Sequence, residues 1–227
     1  MSTNTHVRTI PFWSPEEIES SLTATITHLQ AHRVLAYPTE TVYGFGGGVD
    51  HKSVDALLAL KHRPAGKPFL LLIAGTKMLT RLDLHLTPQA SRLAARFWPG
   101  PLTLVLPGGE RRVPEPLRGP EGGIAVRWTS HTGLLRLIQA YGDPITSTSA
   151  NHPGVPPAMS ALSVANDWHR DITTGVLRVL DGGTLAPSPP STVVDCMGPR
   201  PRIIRPGAIP VTTLREAVPD LLGTPDP

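Results

Sequence analysis

The chain of 227 residues has one cysteine, Cys196. A lone thiol forms neither an internal disulfide nor a cysteine-rich zinc site, and the natural home of such a chain is a reducing cytoplasm. Aromatic residues make up only 5%, which leaves few platforms for the base stacking that single-strand nucleic-acid binders use. No apolar run approaches the ~18 residues that a membrane span needs. The opening "MSTNTHVRTIPF" lacks the apolar centre of a signal peptide. The nine histidines show no metal-ligand spacing, so no protein metal site is assigned. His51, His62 and His131 read as surface or supporting residues.

A hydrophobic content of 40% with 17% charge fits a folded domain, and the length suits one well-buried core rather than two. The 26 prolines and 21 glycines fall between periodic segments and form no low-complexity block, repeat or long linker. The formal charge of +3 suits nucleic acid, an anionic small substrate, or simply a mildly basic surface.

"SPEEIESSLTATITHLQ" predicts a helix: Ser14 suits the N-cap, Pro15 the first turn, Glu17 completes a capping box, and Ile18, Leu22, Ile26 and Leu29 share a face. "VDALLALKHRP" predicts a second helix, capped near Asp50 or Ser53 and stopped by Pro64. Further helices are expected over "TPQASRLAARFWPG", "TGLLRLIQAYG" with Gly142 past its end, "SALSVANDWHRDI" and, weakly, "TTLREAVPDLL". "RVLAYPT", "PFLLLIAG", "PLTLVLPG", "GIAVRW", "PITSTSAN", "GVLRVLDGG", "STVVDC" and "RIIRPG" read as strands. The order predicts an α/β fold with a mixed sheet covered by helices.

"GGGVDHKS" comes close to a phosphate-gripping P-loop, but His51 stands where the backbone must approach phosphate without a side chain. "PTETVYG" is more informative. Its hydroxyls Thr39, Thr41 and Tyr43 alternate along an extended segment and so point to one side, ahead of flexible glycines; an edge strand chosen for β-propensity explains the same residues. "KHRPAGKP" sets Lys61, Arg63 and Lys67 at a helix end. Pro64 pushes Arg63 towards an extended backbone, which lets Lys61 and Arg63 converge on one anion; a solvated basic helix terminus is the plainer alternative. Arg127 near the end of the apolar strand "AVRW" needs a partner when buried, either an anionic ligand or a structural Asp or Glu. "STSAN", "PSTVVD" and "IIRPGAI" each bring polar groups to a strand end.

In their order and spacing, "YPTETVYG", "KHRP", "FWPGPLTLVL", "VRW", "TSAN", "PSTVVD" and "IIRPGAI" resemble the YrdC/Sua5 family of L-threonylcarbamoyladenylate synthases over roughly residues 14–210. The resemblance implies a three-layer α/β fold with a twisted mixed sheet around a cationic cavity. It implies a nucleotidyltransferase that makes threonylcarbamoyl-AMP and pyrophosphate from L-threonine, bicarbonate and ATP, with Mg2+ carried by the ATP. Downstream threonylcarbamoyl transferase proteins would use the product to make N6-threonylcarbamoyladenosine (t6A) in tRNAs reading ANN codons. By matching motif, Lys61 and Arg63 hold the ATP phosphates, and Asn151 and Arg205 stand on the nucleotide side. Thr41, Arg127, Ser149 and Ser191 surround threonine, with Ser149 near both ligands and Thr39, Tyr43 and Lys67 in support. Residues 1–13 become an N-terminal extension and 211–227 a C-terminal helix and tail, as in a short form of the family. Three departures stand out: Thr129 occupies the proline position of the family's "VR-x-P-x-H", the turn "GFGGGVD" is richer in glycine than usual, and Leu72 stands where some members have a histidine near threonine.

Other readings keep the basic cavity and change its use. A non-catalytic protein could bind tRNA or other RNA there, and a related enzyme could transfer a carbamoyl group from carbamoyl phosphate. Pyrophosphate release that requires all three substrates separates these readings.

Overall fold

The computed structural model describes residues 9–62 and 68–224. A short strand, β1 (Ile10–Pro11), leads into α1 (Pro15–Gln30). The capping box forms: Ser14 Oγ accepts from the Glu17 amide at 3.2 Å, and Glu17 Oε2 accepts from the Ser14 amide at 3.0 Å. Both satisfy amides that the first helical turn leaves without partners. β2 (Val34–Tyr37) and β3 (Gly44–Gly46) follow, every residue buried. Asp50 caps α2 (His51–Lys61), whose end is turned by His62 in the left-handed region (φ 46°).

The middle of the chain supplies β4 (Leu70–Ile73), α3 (Lys77–Arg81), α4 (Pro88–Phe97), β5 (Leu102–Leu106), β6 (Ile124–Trp128), α5 (Thr132–Tyr141) and β7 (Ile145–Ser149). α4 opens on a Thr87 cap with Pro88 in its first turn, and α5 closes on Gly142 at φ 85°, a backbone that glycine adopts without steric cost. The last part adds α6 (Ala161–Asp167), α7 (His169–Thr173), β8 (Leu177–Asp181), β9 (Thr192–Asp195), β10 (Arg202–Arg205) and α8 (Val211–Ala217).

Among the described residues the strands form one ten-stranded sheet in the order β1-β8-β2-β3-β7-β4-β6-β5-β9-β10. β2, β3, β7 and β4 run antiparallel in succession, whereas β8/β2, β4/β6 and β5/β9 are parallel pairs. The sheet is mixed, as the element order predicts. β4 lies between β7 and β6, which explains its uninterrupted apolar run.

Several expectations need correction. The sheet begins inside the stretch set apart as an extension: Ile10 and Pro11 pair with Leu180 and Asp181, and Phe12 is buried in the core. "SALSVANDWHRDI" forms two helices broken at Trp168, whose ring meets Phe45 edge-on. Gly44–Gly46 is no flexible turn but a strand squeezed between neighbours. A Cβ on Gly46 would lie 1.8 Å from the Thr146 carbonyl oxygen and 2.5 Å from the Tyr37 hydroxyl, so only glycine lets β3 enter there.

Candidate active site

Residues 38–43, between β2 and β3, form a turn instead of the extended segment predicted from alternating hydroxyls. The cause is Thr39, which bonds back to its own backbone. Its Oγ1 accepts from the amides of Thr41 (3.1 Å) and Val42 (3.2 Å) and donates to the Val42 carbonyl at 2.7 Å. The Thr41 hydroxyl lies 3.1 Å from it. Tyr43 leaves this group: its ring is buried, and its hydroxyl donates to the Gly183 carbonyl at 2.8 Å. The three hydroxyls therefore do not share a face. Thr39 and Thr41 line a cavity and Tyr43 ties the loop to the turn after β8.

That cavity, about 290 Å³, is also lined by Arg127 from β6, Ser147 and Ser149 from β7, Ser191 before β9, and Arg205 from β10. An adjoining hollow of about 440 Å³ shares Pro68, Ala125 and Val193 with it and runs to Asp195 and Arg202. A larger groove of about 750 Å³ lies at the far edge of the sheet, between α1 and α7. It contains none of the residues that the sequence nominates, so size alone does not locate the chemistry.

Arg127 has the partner that its burial demands. Its Nη2 meets Glu40 Oε1 at 2.7 Å, its Nε meets the same oxygen at 3.2 Å, and both Nη atoms face Thr41 Oγ1 at 3.4 Å. Glu40 also accepts from Thr129 Oγ1 at 2.7 Å and from the Ser130 amide at 3.1 Å. Burial pushes the Glu40 carboxyl up, but the Arg127 charge and hydrogen bonds from Thr129 and Arg127 outweigh it and hold the group below its usual range. Glu40 is not singled out by its sequence context. The signal was the requirement for a carboxylate or ligand beside Arg127, with Glu40 next to Thr41 in "PTETVYG".

At the opposite wall, Arg205 Nη2 donates to the Ser191 carbonyl at 2.8 Å and its hydroxyl at 3.2 Å, and Ser191 Oγ lies 2.9 Å from Thr103 Oγ1. Burial lowers the Arg205 pKa, and the Arg127 charge lowers it further. Two guanidiniums thus face a common space, where an anion would relieve their repulsion. The nucleotide-side Arg205 and the threonine-side Ser191 of the family resemblance are direct neighbours.

Lys61 ends α2 behind the loop that follows β7. Its Nζ donates to the Ser149 carbonyl at 2.9 Å, to Asn151 Oδ1 at 3.1 Å and to the Asn151 carbonyl, and lies 5.7 Å from the centre of the Phe45 ring. Ser149 Oγ donates to Asn151 Oδ1 at 2.6 Å, and Asn151 Nδ2 donates to the Val155 carbonyl. Lys61 therefore gathers "STSAN" from behind. Arg63 and Lys67, and with them the convergence attributed to Pro64, lie outside the described residues. Leu72 is buried in the core, opposite Arg127 in the β4/β6 ladder.

The Sua5/YciO/YrdC family model, described as "Telomere recombination", matches residues 27–207. The chain belongs to this family. The threonylcarbamoyl-AMP synthase of Pyrococcus abyssi is 38% identical over 187 residues, 82% of this chain and 54% of that protein. The threonylcarbamoyl-AMP synthase of Yersinia enterocolitica is 37% identical over 178 residues, 77% of this chain and 92% of that protein. P. abyssi Sua5, solved in complex with L-threonine, superposes with a TM-score of 0.86 at 32% identity, covering 96% of this chain and 63% of that one. The chain spans about half the length of the first curated relatives it matches. Sua5/YciO/YrdC membership agrees with the mixed sheet and with the order of the motifs along it.

Proposed function

We propose that this chain makes threonylcarbamoyl-AMP and pyrophosphate from L-threonine, bicarbonate and ATP. The observation that carries the reading is the meeting of Thr41, Arg127, Ser149, Ser191 and Arg205 around one cavity, in a member of a family whose curated relatives bear that activity in their names. Hydroxyls beside two guanidiniums suit a small amino acid next to a polyanion, and the adjoining hollow adds room for a nucleoside.

The chemistry needs no covalent nucleophile. The threonine amine combines with CO2 or bicarbonate to give a carbamate. A carbamate oxygen attacks the α-phosphate of ATP in line, a P–O bond forms, and the bond to the β-phosphate bridge breaks to release pyrophosphate. The protein holds two anions together and offsets the charge that develops on phosphate. Arg127 takes the amino-acid carboxylate, with Thr41, Ser149 and Ser191 around the threonine. Arg205 and Asn151 stand on the nucleotide side, Arg63 serves its phosphates, and Lys61, whose ammonium already donates to Ser149 and Asn151, acts on them through its charge and through the loop it holds. Mg2+ arrives on ATP; among the described residues no group of three or more His, Cys, Asp or Glu side chains is placed to hold a metal ion. The product passes to transferase proteins that complete the tRNA modification.

Pyrophosphate release, measured while omitting each substrate in turn, tests the reading. Release is expected only with threonine, bicarbonate and ATP together, at a rate unchanged by added tRNA. Release without threonine, or an absolute need for tRNA, would overturn it. Among the described residues no helix is long and apolar enough to cross a membrane.

A further inference from the structure

The Arg127 guanidinium divides its donors. One edge, through Nε and Nη2, is held by Glu40 Oε1 at 3.2 and 2.7 Å. The fork between Nη1 and Nη2 opens instead towards Thr41 Oγ1, at 3.4 Å from each nitrogen, on the wall of the cavity. A planar fork grips a carboxylate well only when it is aimed, because bidentate geometry is strict. The aim of the cavity-side fork therefore depends on how firmly the other edge is held.

Glu40 is held by the segment that follows Arg127. Its Oε1 accepts from the Ser130 amide at 3.1 Å and its Oε2 from Thr129 Oγ1 at 2.7 Å. Thr129 is fully buried, and its Oγ1 accepts from the His131 amide at 3.2 Å. A hydroxyl has a single proton; with the His131 amide already donating to the oxygen, that proton is directed to Glu40. The loop is closed: Arg127 to Glu40, Glu40 to Thr129, and Thr129 two residues along the same chain. A residue without a hydroxyl at this position could not close it.

The geometry points to Thr129 as a positioning residue for amino-acid capture, which aims the Arg127 fork through Glu40. This inference rests on the function proposed above and adds a residue that the motif comparison set aside as a departure. The hydroxyl does not touch the substrate. Its effect is carried by the orientation of a partly buried ion pair, so it should appear in affinity for the amino acid and not in affinity for ATP.

The experiment uses the full chain with Thr129→Val, which keeps the branched shape and removes the hydroxyl, and Thr129→Ser, which restores the hydroxyl. Thr129→Ala serves if valine does not pack. Calorimetric titration with L-threonine and separately with ATP is combined with KM and kcat for pyrophosphate release. Thr129→Val should weaken L-threonine binding about three- to tenfold, the scale of one lost charge-assisted hydrogen bond acting indirectly. ATP affinity and kcat at saturating threonine should hold, and Thr129→Ser should recover threonine affinity. Unchanged threonine affinity in Thr129→Val or Thr129→Ala, or an equal loss for ATP, overturns the positioning role. Failure of the unaltered protein to bind L-threonine would instead overturn the functional reading, and the inference with it.

Discussion

Lys61→Met removes an ammonium and keeps a straight stem of similar length, so it separates the charge from the packing. In the native chain Lys61 is 6% exposed, and its Nζ serves the Ser149 carbonyl, the Asn151 carbonyl and Asn151 Oδ1. A hydrogen bond from a charged donor contributes about 1.5–3 kcal/mol. Ser149 and Asn151 are only half-buried, so their freed oxygens regain water and offset part of the loss. The net cost is about 2–3 kcal/mol, which for a domain of this size lowers the melting temperature by about 4–12 °C. Its place at a helix end suggests a replaceable side chain, but the structure makes it the latch of the "STSAN" loop. Turnover should fall about 100-fold or more, as it does when a key electrostatic stabiliser is lost. Thermal melting followed by circular dichroism and pyrophosphate release at saturating substrate read the two effects separately. An unchanged melting temperature would refute the latch, and near-normal turnover in the folded variant would refute the role at the phosphates.

Gly46→Ala should cost at least ~3 kcal/mol, because its Cβ would strike the backbone oxygen of Thr146, which cannot swing aside; chemical denaturation or loss of soluble protein checks this. His28 is buried on α1 with Nε2 at 2.8 Å from the Val34 carbonyl, and burial pushes its pKa down to about 4, helped by Arg178 and Arg33. Because the folded value lies below the unfolded one, its contribution is present above pH ~6.5 and is lost as pH falls towards 4, amounting to about 3 kcal/mol. Denaturant midpoints across that window should fall more steeply for the native protein than for His28→Gln, and equal slopes would refute the assignment. For the substrate, the expected order is threonine, then serine, with valine far behind, since a missing methyl costs about 1–3 kcal/mol whereas a missing hydroxyl strands buried polar groups. Arg127→Ala should lose amino-acid affinity more than ATP affinity. Competition assays read by product mass test both, and valine used as well as serine would show that the hydroxyl is not read.

The elements legible in the sequence are those whose ends carry their own chemistry. Ser14, Pro15 and Glu17 announce α1, Thr87 and Pro88 announce α4, and Gly142 closes α5. β1 escapes because a pair of residues shows no period, and its place comes from pairing with β8 at the other end of the chain. The turn at 38–43 is hidden in the sequence because alternating threonines satisfy a strand pattern equally well, and only the hydrogen bonds of Thr39 show that it folds back. Thr41, Arg127, Ser149, Ser191 and Arg205, all nominated from motifs, line one cavity. That Arg127 needed a counter-charge was legible. That Glu40 supplies it was not, because sequence spacing does not say which carboxylate a distant strand will meet.

The cavity wall draws on Thr41 near one end of the chain and Arg205 near the other, with Arg127 and Ser149 between. The residues described as lining it run from Thr39 to Arg205, so a chain that stops before Arg205 lacks part of the wall. A nascent chain that has folded only as far as β7 lacks both Ser191 and Arg205, and the final wall forms when β9 docks on β5 and β10 on β9. Occupancy therefore reports that β9 and β10 have docked at their edge of the sheet. A ligand bound there would tie the first and last thirds of the molecule together, shielding the chain from proteolysis at points far from any contact it makes.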